Sequence, residues 1–181
     1  MKNFVFILCI LVTVVCHAQV NENGYDSLNF SHGFILIQKD GKYGLMNTQG
    51  KELIPNDYES LVFDHGFILT QKDGKYGLLN TQGKELIPND YESLVFAHGF
   101  ILTQKDSKYG LMNTQGKELI PNDYESLVFA HGFILTQKDG KYGLMNTQGK
   151  ELIPSDYESL SFSHGSVIGT KNGKQNIINI K

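Results

Sequence analysis

Apolar positions along this chain fall in short runs separated by turn residues, and no stretch carries a stripe at helical spacing. One cycle begins with Phe67-Ile68-Leu69-Thr70-Gln71, a β-prone run. Lys72-Asp73-Gly74-Lys75 follows, then Tyr76-Gly77-Leu78-Leu79-Asn80. An Asp-Gly pair between two such runs predicts a hairpin with a type I′ turn, because glycine accepts positive φ. Thr81-Gln82-Gly83 predicts a second turn, with glycine in the left-handed position. Lys84 to Ile87 predicts a short third strand, and Pro88 should end it by removing a ladder donor. Tyr91 to Phe96 predicts the strand that opens the next cycle.

The cycle repeats every 33 residues, almost letter for letter. Asp57 to Asn89 and Asp90 to Asn122 differ only at Asp64/Ala97, Gly74/Ser107 and Leu79/Met112. Copies occupy 24–56, 57–89, 90–122, 123–155 and a shortened 156–181, behind a linker at 19–23. One unit buries too few apolar side chains to offset its own chain entropy, so neighbours must share a core. The pattern predicts an all-β fold: tandem β-hairpin or meander repeats stacked in an open solenoid-like array. A closed β-propeller-like ring is the alternative. Asn29 and Ser161 replace the valine of Val62, Val95 and Val128. Ser166 replaces a phenylalanine, and Gln175-Asn176 replaces a Tyr-Gly pair. Such polar replacements are expected on end faces without neighbours and favour the open array.

The run Gly74-Lys75-Tyr76-Gly77-Leu78-Leu79-Asn80-Thr81-Gln82-Gly83-Lys84-Glu85-Leu86-Ile87-Pro88-Asn89-Asp90-Tyr91-Glu92 resembles the WG-repeat family of bacterial proteins. There an aromatic-Gly pair precedes a short strand, a glycine turn, an Ile-Pro step and a Tyr-acidic pair. The family's usual Trp is tyrosine here, at Tyr43, Tyr76, Tyr109 and Tyr142, and the last copy lacks the pair. The resemblance implies an exported or envelope-associated β-repeat scaffold and no common catalytic activity.

At the N-terminus, Lys2 precedes an apolar run from Phe4 to Val15 and then Cys16-His17-Ala18. This is a secretory signal pattern, with cleavage expected after Ala18 in residues 1–18. The run is too short for a spanning helix. Val14 and Val15 stand where a lipobox has small residues, so lipidation at Cys16 is the weaker reading. The mature chain, secreted or periplasmic, then has no cysteine, no membrane span and no arginine. Its 15 Lys stand against 19 Asp and Glu, a net charge of −4. An acidic, Arg-free surface is a poor partner for nucleic acid.

Stacking turns each repeat position into a row. His32, His65, His98, His131 and His164 form one. A histidine row can hold metal or sense pH, but metal needs three or four converging ligands and each unit offers one. The favoured reading is a turn residue bonded to a nearby carbonyl, with no metal and no cofactor. Tyr58, Tyr91, Tyr124 and Tyr157, each followed by Glu, form a second row. It suits either sugar stacking or amphipathic core packing, and packing is favoured. Paired carboxylates such as Asp57 and Glu59 can be read as glycosidase chemistry, yet they recur in each copy without a distinct partner. The Lys-Asp-Gly-Lys turns read as solvated hairpin tips.

These readings converge on an exported, non-enzymatic repeat scaffold that binds a protein or cell-surface polymer, with Tyr58, Tyr91, Tyr124, His65, His98 and His131 as candidate contacts. A purely structural envelope component is the alternative, and a carbohydrate-active enzyme comes third.

Overall fold

The computed structural model describes residues 24–163 and 165–180, so the signal segment and His164 lie outside the described residues. These residues form nineteen strands and no helix. The first sheet is β1 (Ser27–Ser31), β2 (Phe34–Lys39), β3 (Lys42–Asn47) and β4 (Glu52–Tyr58). The second is β5 (Ser60–Asp64), β6 (Phe67–Lys72), β7 (Lys75–Leu79) and β8 (Glu85–Tyr91). The third is β9 (Ser93–Ala97), β10 (Phe100–Lys105), β11 (Lys108–Met112) and β12 (Glu118–Tyr124). The fourth is β13 (Ser126–Ala130), β14 (Phe133–Lys138), β15 (Lys141–Met145) and β16 (Glu151–Tyr157). The fifth has β17 (Ser159–Ser163), β18 (Ser166–Lys171) and β19 (Lys174–Ile178). Each is an antiparallel meander in sequential order, and none closes into a barrel. The predicted all-β tandem-repeat class is what the chain adopts.

Turn chemistry explains the meander. Asp73 and Gly74 have φ of 52° and 72° between the paired ends Lys72 and Lys75. Both central residues are left-handed, as a type I′ turn requires. His65 and Gly66 do the same between Asp64 and Phe67, at 49° and 80°. The third turn rests on Asn80, whose Oδ1 accepts from the Gln82 and Lys84 backbone amides at 3.0 and 2.9 Å. Gly83 takes the left-handed position there, at φ 80°.

Two expectations need correction. Pro88 does not end its strand, since β8 runs through it to Tyr91. The equivalent Pro121 shows why. It lies on β12, an edge strand, between the pairs Leu111↔Ile120 and Tyr109↔Tyr124, where a register shift leaves the segment bulged away from the ladder. An unpaired edge position loses nothing by lacking an N–H. The predicted strand from Tyr91 to Phe96 also divides at Glu92, whose amide donates to the Gln104 carbonyl at 2.8 Å.

The chain falls into two compact units, Met1–Asn89 and Asp90–Lys181. In the first, Leu45 and Ile54 of the first sheet meet Leu61, Ile68 and Leu79 of the second. In the second unit, Leu111 and Ile120 meet Leu127, Ile134 and Met145 between the third and fourth sheets. Leu144 and Ile153 meet Val167 between the fourth and fifth. Leu144 and Met145 are neighbours in sequence yet enter different cores, because successive strand residues point to opposite faces. The fourth sheet therefore contributes to a core on each of its faces.

The valine row behaves differently from expectation. Val62, Val95 and Val128 are each 49% exposed, and Asn29 and Ser161 are exposed as well. The position faces solvent in every copy, so its polar replacement in the end copies does not cap a stacking face.

Candidate functional site

The Asp-Tyr-Glu step at the end of each fourth strand is held against the Lys-Asp-Gly-Lys hairpin of its own sheet or the next. In the first unit the Lys72 ammonium donates to Asp57 Oδ2 at 2.9 Å, and the Gly74 amide donates to Glu59 Oε2 at 3.1 Å. The second unit repeats this with Lys105 on Asp90 at 3.1 Å and the Ser107 amide on Glu92 at 3.1 Å. The Gly74 amide is the main reason the Glu59 carboxyl sits below its usual range. Each carboxylate of the proposed acid pair thus has a structural partner in its turn.

The tyrosine between them is covered. Tyr91 and Tyr124 are only 9% and 8% exposed, and Tyr58 is half-buried. Burial is the first cause that pushes all three hydroxyls above the ordinary tyrosine range. Lys105 lies 5.7 Å above the Tyr91 ring and Lys138 lies 5.6 Å above Tyr124, so a cation occupies the remaining approach to each. Rings placed this way present no open face to a sugar.

The histidines stay outside. His98 and His131 are exposed, with φ of 52° each in their turns, and His65 places Nδ1 2.6 Å from Asp64 Oδ1. The His98 ring lies 4.6 Å from Phe129 of the next sheet, and His131 lies 4.7 Å from Phe162. In the first unit His32 stacks on Phe63 at 4.7 Å and 23°. Among the described residues, no three His, Cys, Asp or Glu side chains gather where one metal ion fits.

Sequence reading passed over a buried polar pair. Asn89 Nδ2 donates to the Thr70 carbonyl at 3.2 Å and the Lys75 carbonyl at 3.0 Å, while the Thr70 hydroxyl donates to Asn89 Oδ1 at 3.2 Å. The asparagine binds the bulged fourth strand to both strands of the hairpin beside it. It follows proline and reads locally as a turn residue, so nothing in its neighbourhood signals this role.

The deciding observation is the glycine of each Tyr-Gly pair. A Cβ on Gly44 would lie 2.8 Å from the Ile54 carbonyl oxygen, and one on Gly110 would lie 2.8 Å from that of Ile120. Only glycine lets the Ile-Pro strand lie against the aromatic-Gly strand, which makes the motif a structural unit. The family model of the WG containing repeat matches residues 24–43, 43–76, 76–109, 109–142 and 142–174. The chain belongs to the WG-repeat family.

No curated protein matches this WG-repeat chain. Among solved structures it is similar to Kluyveromyces lactis Hsv2, with 9% identity, TM-score 0.35, and 86% of this chain and 60% of that one covered. It is also similar to the WD40 β-propeller domain of Doa1, with 18% identity, TM-score 0.30, and coverage of 86% and 68%. The third is PorZ, a bacterial surface component of the type-IX secretion system of Porphyromonas gingivalis. It shows 12% identity, TM-score 0.31, and coverage of 86% and 27%. The WG-repeat chain therefore spans little more than half the length of Hsv2. The tyrosines of its aromatic-Gly pairs are half-buried and face the second row, with Tyr109 opposite Tyr124 and Tyr142 opposite Tyr157.

Proposed function

We propose that this WG-repeat chain is an exported, non-enzymatic scaffold that engages a protein or cell-surface polymer through its repeated surface. The observation that carries the reading is the equal 49% exposure of Val62, Val95 and Val128 on the edge strands of three copies. The same apolar contact is offered once per copy, and recurrence of weak contacts raises affinity by multivalency without a deep pocket. Export rests on the charged, apolar and small-residue pattern of residues 1–18. Among the described residues no helix is long and apolar enough to cross a membrane.

A purely structural envelope component is the second reading. It is favoured by the inward use of the tyrosines and carboxylates, which leaves the valines and turns as the outer chemistry. Residues 19–181, screened on a glycan array and against envelope proteins, separate the two. Binding that is lost in the V62E/V95E/V128E triple variant supports the scaffold reading. No binding at all supports the structural one, and binding that survives the triple substitution shows that the valine row is not the contact.

A further inference from the structure

The fourth and fifth sheets form a half-open cavity of about 370 Å³ lined by His131, Phe133, Phe162, Val167, Ile178 and Ile180. The matching place between the first and second sheets, at His32, Phe34, Phe63 and Thr81, holds only about 160 Å³. Two substitutions in the last copy account for the difference. Val167 stands where the other copies have Ile35, Ile68, Ile101 and Ile134. Ser166 stands where they have phenylalanine, as at Phe67, Phe100 and Phe133. Both changes are to smaller side chains, and both residues line the larger cavity. Among the described residues the fifth sheet has three strands where the others have four. In a chain of near-identical copies, these smaller residues occur in the last copy alone.

Its walls define the occupant. The Phe133 and Phe162 rings are nearly parallel, 15° apart with centroids separated by 6.3 Å, and the His131 ring lies 4.7 Å from Phe162. The same stack occurs at Phe34–Phe63 and Phe100–Phe129; here its rings also line the open space, and an aromatic lining favours a flat aromatic guest. Ser163, Ser166 and Asn179 also line the space, while among the described residues no Lys, Asp or Glu does, so the guest is neutral with a hydrogen-bonding substituent. A dry apolar cavity of about 150 Å³ already holds benzene. Small-molecule pockets begin near about 300 Å³. The volume suits one or two fused rings.

The geometry points to a binding site for a small, neutral, planar aromatic molecule of the phenol or indole class. It is separate from the valine row and does not depend on the scaffold reading.

The test uses the full chain and indole. The protein has no Trp, so indole fluorescence excited on the long-wavelength side of tyrosine absorption reports the ligand alone. Saturable one-to-one binding is expected, with cyclohexanol, similar in size but not planar, binding more weakly. The S166F/V167I double variant restores the residues of the inner copies and should raise the indole Kd by roughly tenfold or more. F162L, which removes one wall ring, should weaken binding as well and gives a second reading if the double variant misfolds. Absence of saturable indole binding overturns the proposal. So does equal affinity for cyclohexanol, or indole binding unchanged in a folded S166F/V167I or F162L protein.

Discussion

Gly77 and Asn89 are packed so closely that a Cβ on Gly77 would lie 2.9 Å from both the Cγ and the backbone nitrogen of Asn89. The Tyr-Gly and Ile-Pro-Asn segments of one copy are thereby interlocked, and Asn89 spends its amide on Thr70 and Lys75 in the same place. Gly77→Val should displace the bulged strand, break those bonds and destabilise the protein by about 2 kcal/mol or more. Chemical denaturation gives the value. A midpoint equal to wild type would show that the strand can move aside freely. The fifth copy agrees with this logic, since Asn176 replaces the glycine where no fourth strand follows among the described residues.

Ser107 sits at φ 60° where the other Asp-Gly hairpins have glycine. A non-glycine residue there is strained. Ser107→Gly should stabilise the protein by about 1 kcal/mol, read as a rise in thermal midpoint. A fall would mean that the serine side chain contributes more than its backbone costs.

The link between His98 and Phe129 crosses from one sheet to the next, with centroids 4.6 Å apart. A double-mutant cycle with His98→Asn and Phe129→Leu should return a coupling of about 0.5–1.5 kcal/mol. Asparagine keeps the left-handed turn, so the cycle isolates the ring contact. Zero coupling would reduce the pair to mere proximity.

Alkaline pH tests the Asp-Tyr-Lys clusters. The bonds from Asp57, Asp90 and Asp123 hold Lys72, Lys105 and Lys138 above the ordinary lysine range. Burial raises Tyr58, Tyr91 and Tyr124 in the same direction. The folded chain therefore holds these protons more tightly than the unfolded one. Their contribution is complete below about pH 10 and is lost as pH rises through the folded values. The thermal midpoint should drop from about pH 10 upward. It should drop less in the D57N/D90N/D123N variant, which removes the lysine share and leaves the tyrosine share. Parallel curves would contradict the assignment.

Features written in adjacent residues were legible from the sequence. Asp73-Gly74 announced its turn because two neighbouring φ angles decide it, and Gly83 announced the next for the same reason. Features that depend on register between distant residues were not. His32 and Phe63 meet only after two sheets have stacked, and Asn89 finds Thr70 only through a bulge that Pro88 conceals. Sequence shows where residues change but not which face they occupy, so the valine row resembles an end signal until the sheets are in place.

Removal of one whole copy tests the central claim most directly. Deleting residues 123–155 would bring the core-facing residues of the third sheet, Leu111 and Ile120, against Val167 and Phe162 of the fifth. Leu144 and Ile153 meet these residues now. If the copies are interchangeable stacking modules, the shortened protein should unfold in one cooperative thermal transition, at a midpoint close to or somewhat below that of the full chain. Loss of the cooperative transition would contradict the account and show that the array works only with its full set of copies.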